Sequence, residues 1–185
     1  MSRRAVVSAI AVVLVVGVGV GLALFQPWRL VTTRTANEAL LVPTSTSAPA
    51  PTGTPASTPP PATTTVPAPP PGPVALASGP FRSLEHATTG SATLVRLVDG
   101  THAVQFEALD TSDGPDLYVY LSDKPSDAAE KAFGTGFTSL GKLKANQGNQ
   151  VYAIPADADL TGVRSVVIWC QRFSAGFAVA PLEQA

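Results

Sequence analysis

One cysteine, Cys170, is the most reactive side chain in this 185-residue sequence. A thiolate serves as a redox centre, a soft metal ligand or a haem ligand. The same residue type has an opposite use, since free cysteine is among the most buried of residues and packs as a small hydrophobe. Val166 and Ile168, on the same strand face as Cys170, suit that second use. With a single cysteine no intramolecular disulfide can form, so the thiol is either free or joined to another chain. An accessible lone thiol outside a cell is prone to oxidation, so an exported chain keeps one hidden or uses it.

The other candidates for chemistry are few. His86 and His102 are the only histidines and share no metal-ligand spacing, and no metal site is expected. There is no C-x-x-C-H for haem attachment, and the one methionine is Met1, which removes a methionine axial ligand from the folded part. Asp110, Asp113 and Asp116 surround a glycine. Their spacing is not that of an EF-hand loop, and Asp with Gly and Pro is what an ordinary turn uses. No G-x-S-x-G elbow and no phosphate-binding glycine loop is present. No complete active site can be assembled, which points to a redox accessory or binding module and not to a self-sufficient enzyme.

These residues lie on a strand-rich pattern. Residues 89–98 and 102–109 read as two strands joined by Asp99-Gly100, a hairpin turn signal. In the second, Val104, Phe106 and Ala108 alternate with Ala103, Gln105 and Glu107, as expected for one buried face. Residues 117–121 are aromatic and β-branched. Residues 124–133 hold a short helical turn, and 141–145 with 150–154 are compatible with a second hairpin. Residues 163–173 are the most strongly β stretch, with Val166, Ile168 and Cys170 on one face and Val167, Trp169 and Phe173 on the other. Both faces are apolar, as in a central strand, and 176–182 would close the sheet. Seven or eight strands without a long helix predict an all-β sandwich or jelly-roll-like single domain.

The first part of the chain is different. Residues 1–4 hold Arg3 and Arg4; residues 5–25 carry no charge over 21 positions, enough at ~1.5 Å per residue to cross a ~30 Å hydrocarbon layer. A transmembrane anchor with the remainder outside the cell is expected. The length, with Pro27-Trp28-Arg29 as an interfacial flank, favours retention over cleavage as a signal peptide. A juxtamembrane segment follows at 26–42. Residues 43–73 are almost wholly Pro, Thr, Ala and Ser, the composition of a disordered, partly polyproline stalk whose contour would approach ~90 Å. The predicted folded domain, 74–185, has eight basic and twelve acidic side chains with no basic cluster, which argues against nucleic acid as a partner.

Several motifs in order carry a family resemblance: Gly114-Pro115-Asp116-Leu117-Tyr118-Val119-Tyr120-Leu121-Ser122, then Leu140-Gly141-Lys142-Leu143-Lys144, Gly148-Asn149-Gln150-Val151-Tyr152 with Ile154-Pro155, and Ser165-Val166-Val167-Ile168-Trp169-Cys170 with Phe173. With Phe81, His86 and Gly90 they resemble the DM13 domain over about 79–182. The resemblance implies a β fold related to the DOMON sandwiches, in extracellular or membrane-attached proteins, with electron transfer as the proposed role. It places the family's cysteine at Cys170, as a bare thiol or as a ligand to a group such as haem, for which His86 and His102 are the other candidates. No second redox domain accompanies it, so electrons would need a partner protein or another envelope component. The alternative expectation is a non-catalytic binding module of the cell envelope with Cys170 as a core residue.

Overall fold

The computed structural model describes residues 3–26, 32–43 and 72–184. Most of the stretch expected to form the stalk, and Trp28 with its neighbours, lie outside the described residues. The N-terminal element is an α-helix, α1 (Arg3–Phe25). Its apolar side chains are exposed, Val13 by 70% and Val15 by 72%. Side chains are described without a break only over 10–24, and among the described residues no helix is long and apolar enough to cross a membrane.

The rest is a two-sheet β-sandwich, as the strand pattern predicts. The strands are β1 (Thr35–Asn37), β2 (Val74–Pro80), β3 (Arg82–Ser83), β4 (Thr89–Arg96), β5 (His102–Asp110), β6 (Leu117–Ser122), β7 (Phe137–Lys142), β8 (Gln147–Ala153), β9 (Ser165–Cys170), β10 (Ala175–Pro181) and β11 (Glu183–Gln184). The first sheet has the order β1-β8-β5-β4-β2-β11 and the second β3-β10-β9-β6-β7. Between them lies one apolar core, in which Ala92, Leu94, Val104 and Phe106 of the first sheet meet Val119, Leu121, Val166, Ile168 and Cys170 of the second.

The β4–β5 hairpin forms at Asp99-Gly100 as its sequence dictates. Gly100 has φ +84°, a conformation that glycine adopts without the steric cost of a Cβ, and Asp99 Oδ1 accepts from the Thr101 amide at 2.9 Å. The expected second hairpin does not form. β7 pairs with β6 and β8 with β5, in opposite sheets. The connection is turned across the sandwich by side chains: Gln150 receives the Ala145 amide and returns a bond to its carbonyl at 2.9 Å, and the Tyr152 hydroxyl accepts from the Lys144 amide at 3.0 Å. Burial pushes the Tyr152 phenol above its ordinary range.

Several strands are buried on both faces, β9 along its whole length and β5 over residues 103–106. Every residue of β9 is buried; Val167 and Trp169 point away from the main core into a smaller cluster with Tyr120, Val179 and Phe133. Phe133 comes from a 3-10 turn (Glu130–Gly134) that lies over this face. Phe173 does not join it: β9 ends at Cys170, and Phe173 is 51% exposed in the following turn. β5 departs from its expected one-sided pattern, because Ala103 and Gln105 are buried beside Val104 and Phe106. A bulge between Phe106 and Leu109, with Ala108 at φ +49°, then swings Ala108 out and Leu109 into the core.

The outer face of β5 is covered from a stretch that composition placed before the domain. β1 adds to the edge of β8 in parallel, with Ala36 opposite Gly148. The chain continues over the sheet, where the Leu41 and Val42 amides donate to Gln105 Oε1 at 2.9 and 3.1 Å and Gln105 Nε2 donates to the Val42 carbonyl at 2.8 Å.

Phe133 is the buried side chain by which the 3-10 turn packs on the sheet, beside the bond that Glu130 Oε1 accepts from the Gly176 amide at 2.7 Å. Phe133→Ala should therefore cost about 3–5 kcal/mol in chemical denaturation and shift the emission of Trp169 to the red. An unchanged midpoint and spectrum would show that the turn does not seal that face.

Candidate functional site

Cys170 closes β9. Its register partners are Leu117 on β6 and Ala175 on β10, and its side chain faces the interlayer core with Ile168, Leu117 and Phe177. It is a free cysteine with 0% exposure. The alternating geometry of the strand sends the preceding residue, Trp169, to the opposite face. There it lies across from Tyr118, 5% exposed, and with Lys131, Gly134, Thr135 and Ser174 lines a surface cleft of about 310 Å³.

Further aromatic rings lie near it on the outer face of the second sheet. The Tyr118 and Tyr120 rings are 6.3 Å apart, and Tyr120 is stacked on Phe137 at 3.8 Å and 7°. Lys142 Nζ lies 5.6 Å from the Tyr118 ring centre. Burial raises the Tyr120 phenol above its ordinary value, partly offset by the bond it accepts from Gln171 Nε2 at 2.7 Å. Of this group the aromatic content of 117–121 and the place of Trp169 on the second face of 163–173 were legible, whereas Phe137 of β7 was not.

The two histidines do not join the thiol. His86 stacks on Phe177 at 3.8 Å and 23°, on the rim of the core that contains Cys170. His102 starts β5 and lines a different cleft, of about 450 Å³, with Asp99, Ile154, Pro155 and Leu160. Leu160 belongs to the loop that enters β9 at Ser165, whereas Cys170 lies at the far end, about 17 Å along a strand. No hydrogen bond links Cys170 to either imidazole among the described residues.

These residues do not fit a haem. An axial ligand needs an open face at the sulfur, but Cys170 is enclosed by packed side chains and lines none of four surface clefts of 250 to 450 Å³. Nor do the three aspartates converge. Asp110 accepts from Gln147 Nε2 at 3.0 Å, Asp116 pairs with Lys142 at 3.2 Å, and the Asp113 carboxylate, 1% exposed, meets Arg34 at 2.7 Å. No group of three metal-binding side chains occurs among the described residues.

A family model described as "Electron transfer DM13" matches residues 80–182. The chain belongs to the DM13 family. The match runs from the end of β2 to the residue after β10 and so contains Cys170, Trp169 and both histidines. No curated protein and no solved structure matches the chain. Within this DM13 domain the thiol is positioned by β9, a strand on which every residue is buried.

That enclosure has a direct consequence for reactivity. In the native chain Cys170 should resist an aromatic disulfide reagent and react stoichiometrically on unfolding, and the protein should show no disulfide-linked dimer on non-reducing electrophoresis. Cys170→Ser, which puts a hydroxyl into an apolar site, should cost about 1–3 kcal/mol. Rapid native labelling would contradict the packing described.

Proposed function

We propose that this chain is an electron-transfer accessory domain tethered to the outer face of a cell membrane, in which the Cys170 thiol gives up one electron together with its proton to an oxidised redox protein of the envelope, becoming a thiyl radical, and recovers both on re-reduction. The observation that carries the reading is membership of the electron-transfer DM13 family across the folded part. Cys170 is the only thiol available to it. Thiol–disulfide exchange requires one sulfur to attack another, which the enclosure of Cys170 prevents. The remaining route carries the electron through the packing shell. Trp169 is bonded to Cys170 in the chain and forms part of the surface cleft, so its indole offers an aromatic path between the thiol's strand and a partner.

The tether is proposed from the uncharged residues 5–25 behind Arg3 and Arg4 and from the exposed apolar side chains of α1. Alkaline extraction of membranes should leave the chain in the pellet; release into the supernatant would remove the anchor from this reading.

A second reading is favoured by a specific observation. The 0% exposure of Cys170 among Ile168, Leu117 and Phe177 is what a packing residue needs, and the domain would then be a binding module. Film voltammetry of the full chain separates the two. The electron-transfer reading expects a one-electron wave that is absent in Cys170→Ala and slowed about tenfold, equivalent to ~1.4 kcal/mol of barrier, in Trp169→Leu. A wild-type film with no wave, or one that Cys170→Ala leaves unchanged, would favour the binding module.

A further inference from the structure

We infer that residues 32–43 are a strap belonging to the folded domain, so that the Pro/Thr-rich stretch does not space the domain from α1 but leaves and rejoins the same sheet. Three separate attachments carry this. At one end the Arg34 amide donates to Asn146 Oδ1 at 2.7 Å, while its guanidinium meets the enclosed Asp113 carboxylate at 2.7 Å. In the middle Glu38 receives Lys144 Nζ at 2.8 Å and the Val151 amide at 2.7 Å. These bonds hold the Glu38 carboxyl below its ordinary value. At the far end Leu41 and Val42 complete both ends of the Gln105 amide.

Gln105 and Gly148 are the residues that make the receiving surface specific. A buried amide left without partners costs about 1–3 kcal/mol, and Gln105 is 0% exposed; the strap supplies the three bonds described for it. Gly148, at φ +94°, is where β1 crosses: a Cβ there would lie 1.9 Å from the Ala36 carbonyl oxygen. The edge of β8 is thus shaped to take another strand, and the strap supplies one.

The geometry fixes what the two flanking connections span. From Gln105 on β5, beneath Val42, to Val74 on β2 is two strand spacings across and about four residues along, or roughly 16 Å. The 28 residues between Pro43 and Gly72 cover that span many times over. By contrast only six residues, 26–31, separate α1 from Thr32, a reach of about 25 Å at full extension. If α1 is a membrane tether, as proposed above, the domain works close to the membrane plane, and a redox partner must meet it there instead of at stalk length.

The test is a cut between the two ends. A protease site placed after residue 57 of the full chain, in membranes or in micelles, is cleaved, and a tag on the C-terminal fragment is used to recover it. The strap predicts that the N-terminal fragment stays with the domain in one-to-one ratio and that the complex has the mass of one chain. Arg34→Glu with Glu38→Lys, both on the strap, should release it, as should Gly148→Ala. Wild-type fragments that part on cleavage, or that associate only within a dimer, would overturn the inference. Co-purification reads the strap even if the chain does not partition with membranes, so failure of the tether is seen separately.

Discussion

A strand buried on both faces needs a layer above and below it, and both sheets of this domain hold such strands, β9 in one and β5 in the other among them. β9 meets the interlayer core through Val166, Ile168 and Cys170 and a second cluster through Val167 and Trp169. β5 meets the same core through Val104 and Phe106, while Ala103 and Gln105 are buried on its outer side. Two sheets alone cannot satisfy both. The 3-10 turn with Phe133 supplies the third layer for β9, and residues 38–43 supply cover for β5. Apolar burial suffices for the first; the second requires hydrogen bonds, because an enclosed amide is costly without them.

This constraint also bounds the chemistry open to Cys170. A strand that is sealed on both sides holds its terminal thiol away from solvent, oxidants and other sulfurs. A lone cysteine held under those terms is shielded from oxidation whether it serves as packing or as a redox centre. What the enclosure removes is chemistry by direct sulfur contact and ligation of a large planar cofactor. Electron movement through neighbouring aromatic side chains requires neither, which is why Trp169 matters to the proposed role.

Much of this was legible in the residues. Asp99-Gly100 announced its hairpin, and the alternating apolar pairs of 163–173 announced a central strand with Cys170 on the face of Val166 and Ile168. The failures have local causes. Residues 141–154 resemble a hairpin in composition, but Gln150 and Tyr152 bind the backbone of Ala145 and Lys144 and send β8 into the other sheet. Gln105 looked solvent-facing because its cover comes from residues 63 and 64 positions earlier in the chain. β1 is three residues long with no periodic signal, and its partners lie beyond a Pro/Thr-rich stretch that composition marks as a boundary. Cys170 was singled out by type alone, and only packing decides what reaches it.

Residues 32–43 and the two sheets form one cooperative unit enclosing β5. Native-state hydrogen exchange on the full chain tests it at the amides of Leu41 and Val42, which donate to Gln105, and of Glu38, which donates to the Asn149 carbonyl at 3.0 Å. These amides should exchange with protection close to that of β5 and β9. Exchange at the rate of an unstructured peptide, with β5 and β9 still protected, would contradict it.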